Sequence, residues 1–132
     1  LRHFLAEFIG TFALVFVGGA AIVVAQQGVG NIVGVALAHG LILAAMVTAL
    51  MRISAHFNPA VTLGFLVTRR IEPTMALLYV AAQLVGAMAA AYLLRAALPE
   101  ELVTASRGAT LSIAPAVQGG QAFLLEAVAT FF

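Results

Sequence analysis

One seven-residue stretch, His56-Phe57-Asn58-Pro59-Ala60-Val61-Thr62, constrains this chain more than any other. It starts a helix where an apolar membrane protein should carry either an unbroken span or a surface loop. Asn is among the preferred N-cap residues, and Pro suits the first helical turn, where its missing N–H would be unpaired anyway. A helix therefore starts at Pro59. It can run only to about Val67, before Arg69-Arg70, which at ~1.5 Å per residue is roughly 13–15 Å, half of a ~30 Å hydrocarbon core. Between Arg52 and Asn58 the chain must re-enter the membrane as irregular backbone, which is tolerated at depth only when buried in protein or lining a watery cavity. A half-span preceded by such a segment is the first sign of a pore.

Composition places the rest in a bilayer. The chain is 64% hydrophobic and 8% charged, with six Arg, no Lys and five Glu. That excludes an ordinary soluble domain, and a net charge of +1 gives no reason to expect a nucleic-acid partner. The lack of Cys removes disulfides and thiolate metal sites from consideration. Three spans are expected, over residues 4–25, 32–51 and 74–94, with the half-helix over 59–67. The first has no small-residue cleavage signature and reads as a retained span. Gly30, Gly34 and Ala38 on the second, and Ala82, Gly86 and Ala90 on the third, recur every four residues as faces for close helix packing. Residues 96–119, with Pro99, Glu100, Glu101, Arg107, Gly108 and Pro115, have the composition of a long solvent-facing loop. Apolar character then returns over 120–132, about 12 residues where ~20 are needed to span.

The Arg residues set an orientation. Arg2, Arg52, Arg69 and Arg70 fall on one side, Arg95 and Arg107 on the other, so the positive-inside rule puts the N-terminus in the cytoplasm of a multi-pass protein, with the 96–119 loop outside. An internal echo adds a second signal. Glu7-Phe8-Ile9-Gly10-Thr11-Phe12 recurs as Glu126-Ala127-Val128-Ala129-Thr130-Phe131, and three crossings between the copies make the second start from the opposite face. That is an inverted repeat with a broken helix near the midplane. Residues 1–95 then form a first repeat, 120–132 open a second, and the remainder of the second is expected beyond Phe132.

Four blocks carry a family resemblance: 6–12 (AEFIGTF), 36–41 (ALAHGL), 56–62 (HFNPAVT) and 82–87 (AQLVGA). In order and spacing the chain resembles the first half of the aquaporin, or major intrinsic protein, family. The resemblance implies an all-α membrane protein, a right-handed helical bundle with an inverted repeat. It also implies a homotetramer in the cell membrane with one pore per subunit, no cofactor, and a second Asn-Pro-Ala half-helix in the missing half. Where the family usually has Ser-Gly before Ala-His, this chain has Ile53-Ser54.

The residues themselves suggest how such a pore would act. A half-helix aims its unpaired N–H groups and dipole, about +0.5 charge, at the bilayer centre, where cations and hydronium are then disfavoured. If Asn58 caps its own helix through its side-chain oxygen, its NH₂ is left to donate to passing water, with Pro59 and Ala60 completing the helix start. The backbone carbonyls of Ser54, Ala55 and His56 would supply acceptors along the path, and His56 would shape the cytoplasmic mouth. His39 lies mid-span, and an ionisable side chain there is a functional candidate by default. In the resembling family the matching position lines the extracellular constriction, so a His implies a wide, polar filter for water, ammonia, urea or glycerol. Leu43 and Leu14 would form the apolar wall. Glu7, a carboxylate too expensive to bury unpaired, and Gln83 are expected to support the re-entrant backbone.

Other functions remain open at this level. A secondary transporter can use the same repeat and broken helix, but only Glu7 and the His residues are candidates for its moving charges. An enzyme is not expected: Glu7, Glu126, His39 and His56 show no i, i+3 or i, i+4 metal-ligand pairing. A half-pore that conducts nothing on its own is the third reading.

Overall fold

A computed structural model describes residues 1–110 and 112–131. Leu111, inside the predicted outer loop, and Phe132, the last residue of the predicted fourth span, lie outside the described residues. The chain is all-helical. In order it forms α1 (Arg2–Ala25), α2 (Ile32–Leu50), α3 (Pro59–Val67), α4 (Pro73–Ala97), α5 (Glu100–Ala105), a short 3₁₀ turn (Arg107–Ala109) and α6 (Gly119–Phe131). Helices α1, α2 and α4 are long and apolar enough to cross a membrane. Against the expected ranges 4–25, 32–51 and 74–94, α1 starts two residues earlier, α2 ends one earlier, and α4 starts one earlier and ends three later.

Local chemistry sets the helix ends. Asn31 caps α2 by accepting from the Gly34 amide at 3.0 Å, and Asn58 caps α3 by accepting from the Ala60 amide at 2.8 Å. Proline opens α3 at Pro59 and α4 at Pro73. The half-helix stops in a Schellman turn: Arg70 donates to the Phe65 carbonyl at 2.8 Å and Arg69 to that of Leu66 at 3.0 Å. Arg69 takes the left-handed position at φ 57, one usually filled by glycine, and so limits α3 to nine residues.

Helix α1 is the centre of the bundle, packed against α2 on one side and α4 on the other, while α3 leans on α4. The α1–α4 seam uses the predicted small-residue face, with Ala82, Gly86 and Ala90 all buried. The corresponding expectation for α2 does not hold. Gly30 lies in the preceding turn at φ 121, and Gly34 is exposed. Helix α2 meets α1 instead through its half-buried stripe of Val35, Ala38, His39, Ile42 and Met46, which leaves Gly34 off the contact face.

Residues 96–119 also differ from a plain solvent-facing loop. They contain α5 and the 3₁₀ turn, both resting on α1, with Val103 and Ser106 buried. Arg107, Gly108 and Ala109 are all left-handed, at φ 51, 65 and 60. A Cβ added at Gly19 of α1 would lie 3.7 Å from that of Ala109, an ordinary van der Waals contact, so this turn packs directly against α1.

Candidate functional site

The site is built around one carboxylate. Glu7 is completely buried on α1, where an unpaired charge would be prohibitive. Its Oε1 accepts from the Ser54 hydroxyl and from the His56 amide at 2.9 Å. Its Oε2 accepts from the Phe57 amide at 2.7 Å and from Nε2 of Gln83 at 2.8 Å. Two of these donors are main-chain groups of the re-entrant segment, which has no helix or sheet to satisfy them. Glu7 thus stands in for the missing backbone partners and ties the loop before α3 to the two spans behind it.

Gln83 extends the tie. Its second N–H donates at 3.0 Å to the hydroxyl of Thr62, a side chain only 1% exposed. The Thr62 hydroxyl donates to the Asn58 carbonyl at 3.2 Å and lies 3.1 Å from Nδ1 of His56. With the hydroxyl proton committed to Asn58, a proton on Nδ1 of His56 completes the set. Glu7 and Gln83 therefore hold both the approach to the half-helix and its first turn. The ring of His56 packs 4.4 Å from that of Phe65 and edge-on at 5.1 Å to that of Tyr79.

Three residues of this assembly escaped the sequence reading. Thr62 is the polar junction between α3 and α4. Phe57 is the residue that bends the loop, left-handed at φ 51 and buried at 2% exposure. Gly10 makes room for it, since a Cβ there would fall 2.1 Å from the Phe57 ring. Ser54, by contrast, is outside the left-handed region, so the chain needs no glycine at that position. Its side chain, for which no role was expected, adds a donor to Glu7.

The open face of the site presents what remains. Asn58, Pro59 and Ala60 are exposed at the start of α3. The Asn58 oxygen is used in the cap, and its NH₂ has no partner among the described residues. Nor does any described donor reach the carbonyls of Ser54, Ala55 or His56. The arrangement thus offers one amide donor and a helix N-terminus, preceded by a run of three carbonyl acceptors. His39 and Leu43 stand one turn apart on α2, half-buried and exposed respectively, and Leu14 is half-buried on α1. No cluster of acidic, His or Cys side chains that could hold a metal occurs among the described residues.

The sequence that builds this site is similar to those of known proteins. The family model for the major intrinsic proteins matches residues 1–132. The chain belongs to that family. Members of the major intrinsic protein family are channels rather than enzymes. Similar relatives include "Glycerol uptake facilitator protein-like 6" of Lactiplantibacillus plantarum, 40% identical over 99% of this chain and 59% of the relative. "Lens fiber major intrinsic protein" of Lithobates pipiens is 41% identical over 95% of this chain and 47% of the relative. "Probable aquaporin TIP-type alpha" of Phaseolus vulgaris is 41% identical over 99% and 52%. The chain spans about half the length of the curated relatives it matches.

Proposed function

We propose that this chain supplies one half of the wall of a passive channel that carries water and small neutral solutes in single file. The observation that carries the reading is the nine-residue half-helix whose open N-terminus is held by Glu7, with its capping Asn58 left free to donate through NH₂. A water passing Asn58 accepts a hydrogen bond there and turns its oxygen to the half-helix, while the dipole disfavours cations and hydronium. The carbonyls of Ser54, Ala55 and His56 accept hydrogen bonds from waters arriving from the loop side. Residues 1–95 form the first repeat and 120–132 open the second, whose own half-helix faces α3. The N-terminus is cytoplasmic, the membrane is the cell membrane and the assembly is a homotetramer.

His39 is the selectivity residue in this reading, with Leu43 and Leu14 as apolar wall. A His is smaller than a Phe ring and can hydrogen-bond, so the filter admits ammonia, urea or glycerol beside water. In the full-length protein His39→Phe keeps water flux and lowers urea flux about tenfold, the scale at which small steric and polar changes in a pocket discriminate. Unchanged solute selectivity would remove His39 from the filter.

Stopped-flow light scattering on proteoliposomes of the full-length protein tests the function itself. Under a gradient of impermeant sugar, shrinkage faster than that of empty liposomes and with low activation energy is expected. Subsequent gradients of urea or glycerol should show re-entry. Absence of any acceleration over empty liposomes would overturn the channel reading.

A further inference from the structure

Glu7, Gly10, Leu14 and Gly18 follow one another along α1 at steps of three, four and four residues, and so form one stripe of the helix. The two glycines on that stripe each receive a ring from another element. Phe57 of the re-entrant loop fills the space at Gly10, and His39 of α2 fills the space at Gly18. A Cβ built on Gly18 would lie 2.2 Å from Nε2 of His39, 2.6 Å from Cδ2 and 2.8 Å from Cε1. The ring is therefore seated directly on the backbone of α1.

A second contact fixes it from behind. Nδ1 of His39 lies 2.9 Å from the Val35 carbonyl, one turn earlier on its own helix. With Nδ1 as the donor, the opposite edge of the ring, carrying Nε2, is the edge laid on Gly18. Neither glycine of this pairing pattern is needed for an unusual backbone, because both sit inside a regular helix. In a helix interior glycine is less favourable than alanine by roughly 0.5–1 kcal/mol, so its presence at Gly18 has to be explained by what stands opposite.

We propose that Gly18 is a specificity-determining residue that acts through His39: by lacking a Cβ it lets the ring lie against α1, and this seat sets the width of the constriction. The inference rests on the assignment of His39 to the filter made above. A methyl group at position 18 cannot coexist with the ring. The atoms in its way belong to the end of a side chain with two torsions, so the ring moves rather than the helix. It moves away from α1, into the path, and it strains or breaks the bond to Val35. A path narrowed in this way discriminates against urea and glycerol more than against water.

The test is a double-mutant cycle on the full-length protein in proteoliposomes, comparing wild type, Gly18→Ala, His39→Ala and the double variant by stopped-flow water and urea flux. Gly18→Ala is expected to lower the urea-to-water flux ratio about tenfold. In the His39→Ala background the same substitution is expected to add nothing, because no ring is left to displace. An equal effect of Gly18→Ala in both backgrounds would make Gly18 an ordinary helix-packing residue and overturn the proposal. If His39→Phe changes the ratio and Gly18→Ala does not, the seat is wrong while the filter assignment survives. If no His39 substitution changes the ratio, the filter assignment fails and this inference with it. Should Gly18→Ala alone give no monodisperse protein, its recovery by His39→Ala supports the seat, and failure of both variants overturns it.

Discussion

Glu7→Ala in the full-length protein is expected to abolish osmotic water permeability and to destabilise the fold by on the order of 4 kcal/mol. The carboxylate serves four donors at once: the Ser54 hydroxyl, the His56 and Phe57 amides and the Gln83 side chain. Each buried donor left unpaired costs about 1–3 kcal/mol. The total falls short of the sum because water can enter the space vacated and the loop can relax. Relaxation is what ends conduction, since the backbone before α3 has no other partner to hold its carbonyls in line. Glu7→Gln keeps the shape but replaces one acceptor oxygen by an NH₂ that faces two donors, so it is expected to fall between wild type and Glu7→Ala. Stopped-flow permeability and thermal unfolding in detergent read both effects. Wild-type permeability in Glu7→Ala would mean that something other than this carboxylate holds the re-entrant segment.

How much of this was legible in the sequence depended on whether the interaction was local. The start of α3 at Pro59 and its end before Arg69-Arg70 could be read directly, because capping and chain termination are decided within a few residues. The burial of Glu7 was legible for a different reason: a carboxylate in a 24-residue apolar helix has to find donors somewhere. Which donors it finds was not. Ser54 lies 47 residues away and Gln83 lies 76 away, and a hydroxyl in a loop carries no sign of its partner. Thr62 was hidden for the same reason, since a threonine on a short helix reads equally well as exposed or as a junction. Glycines failed in both directions. Gly34 fits a small-residue period yet faces away from α1, whereas Gly10 and Gly18 lie on a stripe interrupted by Leu14, and the rings that meet them come from distant elements. Helix α5 was lost because six residues among Pro, Glu and Gly show no periodicity. Its contact with α1 and the burial of Val103 are tertiary facts.

Gly86→Ala is expected to cost about 1–3 kcal/mol, the range for overpacking a tight contact, and to reduce water permeability at the same time. Small residues let membrane helices approach until their backbones touch, and α1 and α4 have done so here. A Cβ on Gly86 would lie 2.6 Å from the carbonyl oxygen of Phe8 and 3.3 Å from the amide nitrogen of Phe12. These are main-chain atoms of a helix, so no rotamer change relieves the clash and the two helices must separate. Gln83 sits one turn before Gly86 and reaches Glu7 across the same seam at 2.8 Å. Separation therefore also lengthens the bond that holds the loop. Gly19 provides the comparison within the same interface. Its added Cβ would lie 3.2 Å from Cδ2 of Leu94, the end of a flexible side chain, so Gly19→Ala is expected to stay within about 0.5 kcal/mol of wild type. Thermal unfolding of the two variants, with water permeability measured in parallel, separates the two cases. Equal losses would show that the approach of α1 to α4 is limited by side chains rather than by backbone, and would remove the link from Gly86 through Gln83 to the half-helix.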